Sequence, residues 1–503
     1  MRILLLEHPR SIMFERCNDI ANTPLSSCLL AGYAAGMLKS KGHEVEIIEG
    51  YLDGLSYEEI RSVTDTFRPD ILGVHMVYHW KTDTKLFDFL EHTKRERPDL
   101  RIMAFGFYPT IAFEDILRKC EAIDAVITGE PEMPFAGLAE YLSQGARVPA
   151  VPGLAFRDGL GGIKCLKQRP VDDLDLLPFP VRTEALYRLP EVNLLGSRGC
   201  YGRCTFCYVN SFYGLGSAWR WRSAENIVRE IDAIMSERSV RDFYFTDPNF
   251  FGPGWRGQQR ALRMTSLIKP RNIHFGIEAR VNDIHDEVIG PLVEAGLRHV
   301  LIGLESGGDQ ALRRMKKMTT VAQNEQALMI IRSHGIEPNV GFVMFEPDSS
   351  LADIRINFEF LKRNDLLKNL PVTANVLYHH QIILEGTEAY HHLRHEDRLE
   401  IGPSSSYEGT AYFRSQEVAM LADIMRQVTN ILFARMGGIW SGKVTETPAV
   451  RERYGEANGL LLRIFDESLR SLEAGERPDS AWVTSLVRDT DVKITAILQP
   501  LSV

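Results

Sequence analysis

Three cysteines of the chain stand close enough in sequence to bind one metal centre. Cys200, Cys204 and Cys207 are separated by three and then by two residues. Thiolates at such short spacing suit an iron–sulfur cluster or zinc. A structural zinc site needs four ligands, and no further Cys or His lies close by in sequence to complete the set. Three thiolates can instead hold three irons of a [4Fe-4S] cluster and leave the fourth iron open, so the spacing favours a reactive cluster.

The segment around the cysteines alternates between strand and helix patterns. Six strands that alternate with helices imply a parallel sheet with right-handed crossovers. When such a sheet curves toward closure, it forms a partial (β/α)6 TIM-type barrel, whose site lies at the carboxyl ends of the strands. The predicted strands are 192–197, 242–246, 273–277, 299–304, 339–345 and 372–378, and the predicted helices are 224–236, 258–268, 287–295, 323–334 and 351–363.

Polar residues gather at the ends of three of these predicted strands. Any one of them alone could be a helix cap or a turn former. Their coincidence with successive strand ends favours a shared site at the mouth of the barrel. The residues are Asp247 and Asn249 after the second strand, Glu278 and Arg280 after the third, and Glu305 and Ser306 after the fourth.

The first 150 residues have the pattern of a separate α/β unit. A strand is predicted over 2–7, followed by a helix over 23–41 that ends at Gly42, where a left-handed cap is expected. Further buried strands are predicted, which gives a five-stranded doubly wound, Rossmann-like sheet that binds ligands beyond the carboxyl ends of its strands. No GxGxxG follows the first strand, so a dinucleotide is not expected. The other four strands are 44–48, 71–76, 101–105 and 123–127.

The cysteine motif and the strand ends together resemble the radical S-adenosylmethionine (radical SAM) superfamily. Its signature is CxxxCxxC with an aromatic residue, here Phe206, before the last Cys. Residues 247–250, 278–282 and 303–307 resemble its DxNF, ExRxD and GxESG segments, although Asn282 stands where Asp is usual. The resemblance implies that the cluster binds S-adenosyl-L-methionine (SAM) and cleaves it reductively. It assigns SAM contacts to Phe206, Tyr208, Asp247, Arg280, Glu305 and Ser306.

The amino-terminal unit resembles the cobalamin-binding domain that precedes the barrel in one radical SAM subfamily, the class B methyltransferases. The resemblance rests on residues 24–27, 41–45, 106–110 and 129–132. The subfamily usually has GGxHxT at 106–110, so this chain places aromatic residues at two positions that are normally small or His. The resemblance implies that the corrin of cobalamin is bordered by Ser26, Gly106, Thr110, Gly129 and Glu130.

The residues that cover or ligate the lower face of the cobalt are not identified by these segments. The chain has no DxHxxG, the motif whose His ligates cobalt in cobalamin mutases and methionine synthase. In the radical SAM subfamily this face is often open or covered by the loop after the third strand. Here that loop contains Tyr78, His79 and Trp80. Trp80 or Tyr78 is expected to lie against the corrin, with ordinary core packing as the alternative, and His79 is a candidate cobalt ligand.

The remaining segments divide the chain into four parts. Residues 1–150 are the cobalamin-binding domain, and 151–188 resemble the subfamily's linker, a small hairpin followed by a proline-stiffened approach to the barrel. The radical SAM core is expected over 189–395. Helices over 417–436 and 459–472 belong to a helical C-terminal domain, 396–503, in which nothing indicates a ligand.

Composition favours a large enzyme outside the membrane. A net charge of −9 disfavours a nucleic-acid partner, because binding to phosphates needs a basic stripe. No apolar run reaches the length of a membrane span, and the amino terminus begins with a strand instead of a signal peptide. Seven cysteines, three of them in the cluster motif, imply a reducing compartment, the cytoplasm. The other four, Cys17, Cys28, Cys120 and Cys165, are expected to be free thiols.

The resemblance implies a methyltransferase that acts on an unactivated carbon of a small molecule or a natural-product intermediate. Its cofactors would be a [4Fe-4S] cluster, SAM and cobalamin, and its electrons would come from an external donor such as flavodoxin or ferredoxin. Three alternatives stay open. The first is cyclisation or ring rearrangement, and the second is aminocarboxypropyl transfer from SAM with a vestigial cobalamin domain. The third is a non-catalytic cobalamin carrier, which leaves the polar strand ends unexplained.

Overall fold

The computed structural model describes residues 1–9, 29–76, 84–145, 151–214, 219–402, 407–440, 447–477 and 479–498. Two mainly parallel sheets follow one another along the chain, each with helices between its strands, and three long helices lie at the carboxyl end. The predicted fold class is thus confirmed: a Rossmann-like domain, a partial barrel and a helical C-terminal region.

The amino-terminal sheet has the strand order β2-β1-β3-β4-β5, with all five strands parallel. Strands β1, β3, β4 and β5 are almost completely buried because helices cover both faces of the sheet, whereas the edge strand β2 is partly exposed. The predicted linker hairpin forms, and it extends the sheet by pairing β6 antiparallel with β5. The strands are β1 Arg2–Glu7, β2 Glu44–Glu49, β3 Ile71–His75, β4 Arg101–Phe105, β5 Ala125–Ile127, β6 Leu154–Arg157 and β7 Ile163–Cys165; the helices are α1 Leu30–Ser40, α2 Tyr57–Phe67, α3 Thr84–Glu96, α4 Phe107–Lys119 and α5 Glu132–Ser143.

Helix α1 carries the linker that leads to the barrel. It ends as predicted, with Gly42 at a φ of +82°, whereas the predicted first residues, 23–28, lie outside the described part of the chain. A Cβ at Gly32 would lie 2.5 Å from the carbonyl oxygen of Val181, and one at Gly36 would lie 2.6 Å from that of Phe179. The two glycines therefore let the linker backbone run directly against α1, which ties the two domains together.

The barrel sheet has the order β8-β11-β12-β13-β14, again with parallel pairing. Strands β9 and β10 form a separate antiparallel pair beside it. The strands are β8 Val192–Leu194, β9 Ser197–Arg198, β10 Arg220–Trp221, β11 Asp242–Phe245, β12 His274–Arg280, β13 Leu297–Glu305 and β14 Asn339–Phe342; the helices are α6 Glu184–Tyr187, α7 Val209–Tyr213, α8 Ala224–Glu237, α9 Gly254–Ile268, α10 Asp286–Ala295, α11 Asp309–Arg314, α12 Val321–Ser333, α13 Leu351–Arg363 and α14 Leu370–Tyr378.

The predicted sixth strand, 372–378, is wrong, because these residues form helix α14. Its β-branched residues suggested a strand. However, Asn369 caps the segment by accepting a hydrogen bond from the amide of Val372, and a proline occupies the first turn, where it is well tolerated in a helix. The sixth position of the barrel is taken instead by the residues that follow α14. Phe345 forms a parallel bridge with His380 there, and the amide of Gln381 donates to the carbonyl oxygen of Phe345.

The C-terminal part of the chain contains more helices and strands than predicted. The two predicted helices are confirmed as α16 and α17, while a three-stranded sheet and helix α18 were not predicted. Apolar residues of α16, α17 and α18 belong to the same core as the barrel helices. No helix in the described ranges is both long and apolar enough to cross a membrane. The added elements are β15 Ile383–Leu384, α15 Glu388–His395, β16 Leu399–Ile401, β17 Glu408–Ala411, α16 Gln416–Trp440, α17 Pro448–Glu473 and α18 Ser480–Leu498.

Candidate active site between the two domains

The three motif cysteines lie on the loop between β9 and α7, and all three line one cavity. Each is half-buried. Burial, reinforced by the neighbouring thiols, raises the pKa of Cys207 to about 12. In the described residues, no group of three or more His, Cys, Asp or Glu is placed to hold a single metal ion. A cluster spreads its thiolates over several irons, so its ligands need not converge on one point, and soft sulfur donors around one cavity fit such a cluster.

Hydrogen bonds from three directions hold the cysteine loop. The amide of Thr205 donates to the carbonyl oxygen of Met315 at 3.0 Å, and its own carbonyl oxygen accepts from the amide of Ala389 at 2.9 Å. The side-chain amide of Asn210 donates to the carbonyl oxygen of Gly202 at 3.0 Å. The loop is therefore held by α7, which directly follows it, and by two distant segments, the residues after α11 and helix α15.

Arg280 reaches from the end of β12 to the cysteine loop. Its Nη1 lies 3.6 Å from Sγ of Cys204, and its Nη2 donates to the carbonyl oxygen of Lys317. A Cβ at Gly202 would collide with the guanidinium, so the glycine between the first two cysteines makes room for this contact. Burial raises the pKa of the Cys200 thiol, and the charge of Arg280 opposes this rise.

Glu305 sits at the end of β13 with a φ of +62°. Its Oε1 accepts a hydrogen bond from Nζ of Lys317 at 2.7 Å, and both side chains are largely buried beside the cavity. A Cβ at Gly303 would collide with that carboxylate and would lie 2.6 Å from Nζ. A side chain at 303 would make the ends of these two side chains shift, so glycine leaves room for the ion pair as it stands. Lys317 was missed at the sequence level, and its only signal was a lysine in a basic run twelve residues after Glu305.

Two aromatic residues that were predicted to contact SAM also line the cavity. Phe206 packs beside Ala311, Met315 and Val343. The ring of Tyr208 meets that of Phe107 edge to face, with centroids 5.0 Å apart, so it joins the barrel to the amino-terminal domain.

Asp247 and Ser306 lie behind the cavity wall. The Asp247 carboxylate is completely buried and accepts hydrogen bonds of 2.7 Å from the Gly196 amide and from the Ser197 hydroxyl. Burial raises its pKa to about 6. The hydroxyl of Ser306 donates to Oδ1 of Asn357 at 2.7 Å. Both residues support the strand ends, and neither is among the residues that line the cavity.

The cavity has a volume of about 260 Å³ and extends from the barrel interior to the amino-terminal domain. Leu30 and Phe107 form part of its wall. They are the first residues of the helices that follow β1 and β4, so this wall belongs to the carboxyl edge of the Rossmann-like sheet, where such folds bind ligands. The barrel side of the cavity carries polar side chains, those of Glu278, Arg280, Glu305, Lys317, His379 and Gln381.

Two polar groups of this wall are neutral near pH 7. Burial raises the pKa of Glu278 to about 8, and the nearby Asp247 contributes in the same direction. Burial also lowers the pKa of His379 to about 4. The charged groups on the barrel side of the cavity are therefore Arg280 and the ion pair of Glu305 and Lys317, whereas Glu278 and His379 add no charge there.

The predicted cobalamin contacts divide into two groups. Ser26, Tyr78, His79 and Trp80 lie outside the described residues. Gly106, Thr110 and Gly129 form one hydrogen-bonded unit at the carboxyl edge. The Thr110 hydroxyl donates to the Gly106 carbonyl oxygen at 2.6 Å and accepts from the Gly129 amide at 2.9 Å.

Close protein neighbours explain why glycine stands at positions 106 and 129. Gly106 has a φ of +117°, and a Cβ there would lie 2.5 Å from the carbonyl oxygen of Met76 and 2.7 Å from the ring of His75. Gly129 has a φ of +75°, and its Cβ would lie 2.7 Å from Nε2 of Gln168. Both positions are therefore constrained by protein neighbours.

Glu130 also has a protein partner. Its carboxylate pairs with Arg220 and lies 3.1 Å from Nη1 of Arg198. Although burial opposes ionisation, these two arginines lower the pKa of Glu130. Glu132 binds the other end of the Arg198 guanidinium at 2.5 Å. Because Arg198 precedes Cys200 by two residues, this buried network fastens the cysteine loop to the amino-terminal domain. The only indication of this network at the level of sequence was the pair of acids that follows Gly129.

A second buried polar group was also missed. Glu7 and His75 end the neighbouring strands β1 and β3, and Oε1 of Glu7 lies 2.6 Å from Nδ1 of His75. Nearby, burial and the charge of Glu7 raise the pKa of Glu49 to about 7. All three sit at strand ends, a position that would have marked them as candidates. They place ionisable groups at the carboxyl edge of the sheet.

Known proteins share both halves of this arrangement. The radical SAM superfamily profile matches residues 194–361, and the B12-binding domain profile matches residues 29–139. An uncharacterised methyltransferase of Pyrococcus horikoshii, PH0819, is 26% identical over 375 residues, which cover 73% of this chain and 79% of the relative. An anaerobic magnesium-protoporphyrin IX monomethyl ester cyclase of Rubrivivax gelatinosus is 27% identical over 327 residues, or 62% of this chain and 58% of that protein.

Solved structures share the fold. The cobalamin-dependent SAM radical enzyme OxsB, with aqua-cobalamin and SAM bound, superposes with a TM-score of 0.78 at 20% identity and covers all of this chain and 75% of OxsB. The radical SAM methyltransferase TsrM of Kitasatospora setae, with cobalamin and a [4Fe-4S] cluster bound, has a TM-score of 0.67 at 15% identity, covering 93% of this chain and 99% of TsrM. The chain therefore carries a radical SAM domain, which implies a [4Fe-4S] cluster and SAM, and an amino-terminal B12-binding domain, which implies cobalamin.

Proposed function

We propose that the protein transfers a methyl group to an unactivated carbon of a small molecule. One observation carries this proposal. A single cavity is bordered by all three motif cysteines, by the polar strand ends of the barrel and by the carboxyl edge of the amino-terminal domain. Cleavage of SAM and delivery of a methyl group require two cofactors and a substrate to share one space from which water is excluded. The two mouths of the domains face each other across that space.

In this proposal the barrel residues bind and orient SAM. Cys200, Cys204 and Cys207 hold the cluster, which supplies the electron for reductive cleavage when it is bound. Arg280 lies beside Cys204 and offers its charge to the carboxylate of SAM. The ion pair of Glu305 and Lys317 presents one group of each sign to the amino acid moiety. Phe206 and Tyr208 supply apolar surface, whereas Asp247 and Ser306 act from behind by fixing the strand ends.

The amino-terminal domain binds cobalamin in this proposal. The unit of Gly106, Thr110 and Gly129 shapes the carboxyl edge, and Leu30 and Phe107 give the cavity an apolar wall. Ser26 and the loop of Tyr78, His79 and Trp80 stay proposed contacts. Glu130 acts indirectly, through Arg198 and Arg220. An apolar wall suits a hydrocarbon portion of a substrate, since it excludes water from the reacting carbon.

The reaction also needs a source of electrons. We assign this role to an external carrier protein of the flavodoxin or ferredoxin type, and the reaction to the cytoplasm, where thiols stay reduced. Among the described cysteines, Cys120 and Cys165 are free. We propose no nucleic-acid partner, because the net charge of the chain is −9.

A second candidate is a cyclisation or ring rearrangement, which is favoured by the similarity to the magnesium-protoporphyrin cyclase. The two candidates use the same cavity and differ in the fate of the methyl group of SAM. Aminocarboxypropyl transfer is distinguished by the bond of SAM that breaks.

The test is product analysis with SAM that carries an isotopic label in its methyl group. The anaerobically reconstituted enzyme is incubated with a reductant, cobalamin and extracts of small molecules. Labelled carbon in an organic product together with 5'-deoxyadenosine supports methyl transfer. Formation of 5'-deoxyadenosine without any transfer of the label would support the cyclase, and methylthioadenosine would support aminocarboxypropyl transfer.

Cysteine variants control for the cluster. The triple change of Cys200, Cys204 and Cys207 to Ala should abolish iron binding and SAM cleavage while the circular dichroism spectrum is retained, since thiolates are the iron ligands. Cys165→Ala, at an exposed cysteine outside the cavity, should change neither. Zinc without iron in the anaerobic wild type would refute the assignment of the cluster.

A further inference from the structure

Tyr201, the residue directly after the first cysteine of the motif, belongs to a hydrogen-bond network that connects the cysteine loop to the barrel. Its hydroxyl donates to the carboxylate of Asp283, with both Oδ atoms at 2.8 Å, and accepts from the side-chain amide of Asn282 at 2.7 Å. Asp283 is 3% exposed, and both partners directly follow the end of β12. The phenol therefore attaches the loop to a strand end that lies 82 residues away along the chain.

The Asp283 end of this network is held by two further segments of the barrel. The side-chain amide of Asn249 donates to Oδ2 of Asp283 at 3.0 Å, and that of Gln258 donates to its carbonyl oxygen at 2.9 Å. Asn249 and Gln258 are both buried; the first follows β11, and the second lies on α9. Asp283 is therefore a fixed anchor, and the hydroxyl of Tyr201 joins the cysteine loop to it.

The protons of this network explain why an amide stands at position 282, where Asp is usual in the ExRxD segment. A phenol has one proton to donate, and the distances give that proton to Asp283. The group at 282 must then supply the proton of the second hydrogen bond to Tyr201. The amide of Asn282 can donate, whereas an ionised Asp can only accept and would place a second carboxylate beside Asp283.

Two contacts lead from Tyr201 to groups of the active site. The amide of Gly202 donates to Sγ of Cys200 at 3.3 Å, so the turn that Tyr201 anchors carries a hydrogen bond to a sulfur of the motif. Cζ of Arg280 lies 5.2 Å from the centre of the Tyr201 ring, within the range of a cation–π interaction. The same guanidinium lies 3.6 Å from Sγ of Cys204. Tyr201 thus anchors the turn at the first cysteine and contacts the arginine beside the second.

We infer that Tyr201 is a positioning residue for the cluster and acts through Cys200 and Arg280. Its hydroxyl fixes the turn of residues 200–202 and depends on the hydrogen bond from Asn282, while its ring fixes the guanidinium. Hydrogen bonds to the sulfur ligands and nearby charge set the reduction potential of an iron–sulfur cluster. The network therefore contributes to how firmly iron is held and to the potential at which the cluster accepts an electron. The inference rests on the cluster of the proposed function and is independent of the group that SAM donates.

The first test is the rate at which the reconstituted holoenzyme loses iron to an excess of a ferrous-iron chelator under anaerobic conditions. Tyr201→Phe removes the hydroxyl and keeps the ring, and Asn282→Ala removes the amide. Each variant should release iron about five-fold faster than the wild type, as expected for the loss of one hydrogen bond. The double variant should be no faster than the faster single variant, because both changes break the same network.

The matched control is Tyr412→Phe. It also removes a hydrogen bond from a phenol to a carboxylate, that of Glu400 at 2.9 Å, but in the C-terminal sheet. This variant should release iron at the wild-type rate. Wild-type rates in both Tyr201→Phe and Asn282→Ala would overturn the inference, as would a double variant whose acceleration is the product of the two single effects.

The second test separates positioning from general stability. The reduction potential of the cluster is measured by anaerobic redox titration followed by electron paramagnetic resonance. Tyr201→Phe should have a more negative potential than the wild type, because a looser turn weakens the amide hydrogen bond to Cys200 that stabilises the reduced cluster. Asn282→Ala, which keeps the phenol, should shift the potential in the same direction, and Tyr412→Phe should not shift it.

An unchanged potential in the variants of Tyr201 and Asn282 would overturn the inference even if they lose iron faster, since faster loss alone indicates only a weaker fold. Failure of the proposed function is recognised separately. A wild type that gives no labelled methyl product still permits both measurements, because iron release and the reduction potential require no substrate.

Discussion

The buried ion pair of Glu132 and Arg198 permits a quantitative prediction about how the two domains are joined. Glu132 begins α5 of the amino-terminal domain, and Arg198 belongs to β9, two residues before the first cysteine of the motif. Each side chain is 1% exposed. Removing one partner of a buried pair leaves a buried charge uncompensated, which typically costs about 3–5 kcal/mol.

For Glu132→Gln we expect the lower end of that range, about 3 kcal/mol. The reason is that Glu130 remains 3.1 Å from the same guanidinium and still compensates part of its charge. One kcal/mol shifts the melting temperature by about 2–4 °C in domains of some 200 residues, so the loss should amount to about 6–12 °C. Because the cysteine loop is fastened by Arg198, the variant should also retain less iron after anaerobic reconstitution.

The assay is differential scanning calorimetry of the metal-free protein at a constant scan rate, because a chain of several domains need not unfold in two states. Glu140→Gln is the control, since it changes an exposed acid on the same helix. The double variant Glu132→Leu with Arg198→Met removes both charges and should recover most of the loss. If Glu132→Gln melts together with Glu140→Gln, then the pair does not hold the domains together and the reasoning is wrong.

Three further predictions concern single positions around the cavity and the carboxyl edge. Gly303→Ala should weaken SAM binding about ten-fold in equilibrium dialysis, because its Cβ would displace the Glu305 carboxylate. The control is Gly341→Ala, whose Cβ would make only ordinary contacts of 3.6 Å or more and which should bind SAM normally. Equal affinities of the two variants would contradict the role of the ion pair. Since the pKa of Glu278 is raised to about 8, the folded protein keeps a proton that the unfolded chain releases above about pH 4.5. The free energy of unfolding of the wild type, measured in urea titrations, should therefore fall as the pH rises from about 4.5 to about 8. Glu278→Gln should show a smaller fall over the same range. If the two proteins lose the same free energy of unfolding, the Glu278 carboxyl group is not protonated. Gly106→Ala should lower the free energy of unfolding of the amino-terminal domain by about 1–3 kcal/mol, because the new side chain is strained and collides with its neighbours. Gly42→Ala, at a φ of +82° in open space, should lower it by only about 1 kcal/mol. Equal losses in thermal melts would show that the neighbours of Gly106 move to make room.

The local patterns of the chain were sufficient for the chemistry of the cluster and for most of the scaffold. The spacing of Cys200, Cys204 and Cys207 depends only on neighbours in sequence, and the helix over 351–363 was predicted with the bounds that the structure has. Buried parallel strands are continuous apolar runs, so their positions can be read from composition. The segment 372–378 fails this rule because its cap and its packing against α16 and α17 outweigh its β-branched residues.

The partners of the site residues were decided by the tertiary structure alone. Glu130 was expected at the corrin, yet two arginines that lie 68 and 90 residues further along the chain bind its carboxylate. Lys317 comes to Glu305 because α11 turns back after β13, and Asp247 turns away from the cavity to cap the backbone of Gly196. A motif specifies which side chains stand at a strand end. Which cation, carboxylate or backbone amide meets each of them depends on contacts between distant segments, and their strength depends on burial that only the folded chain creates.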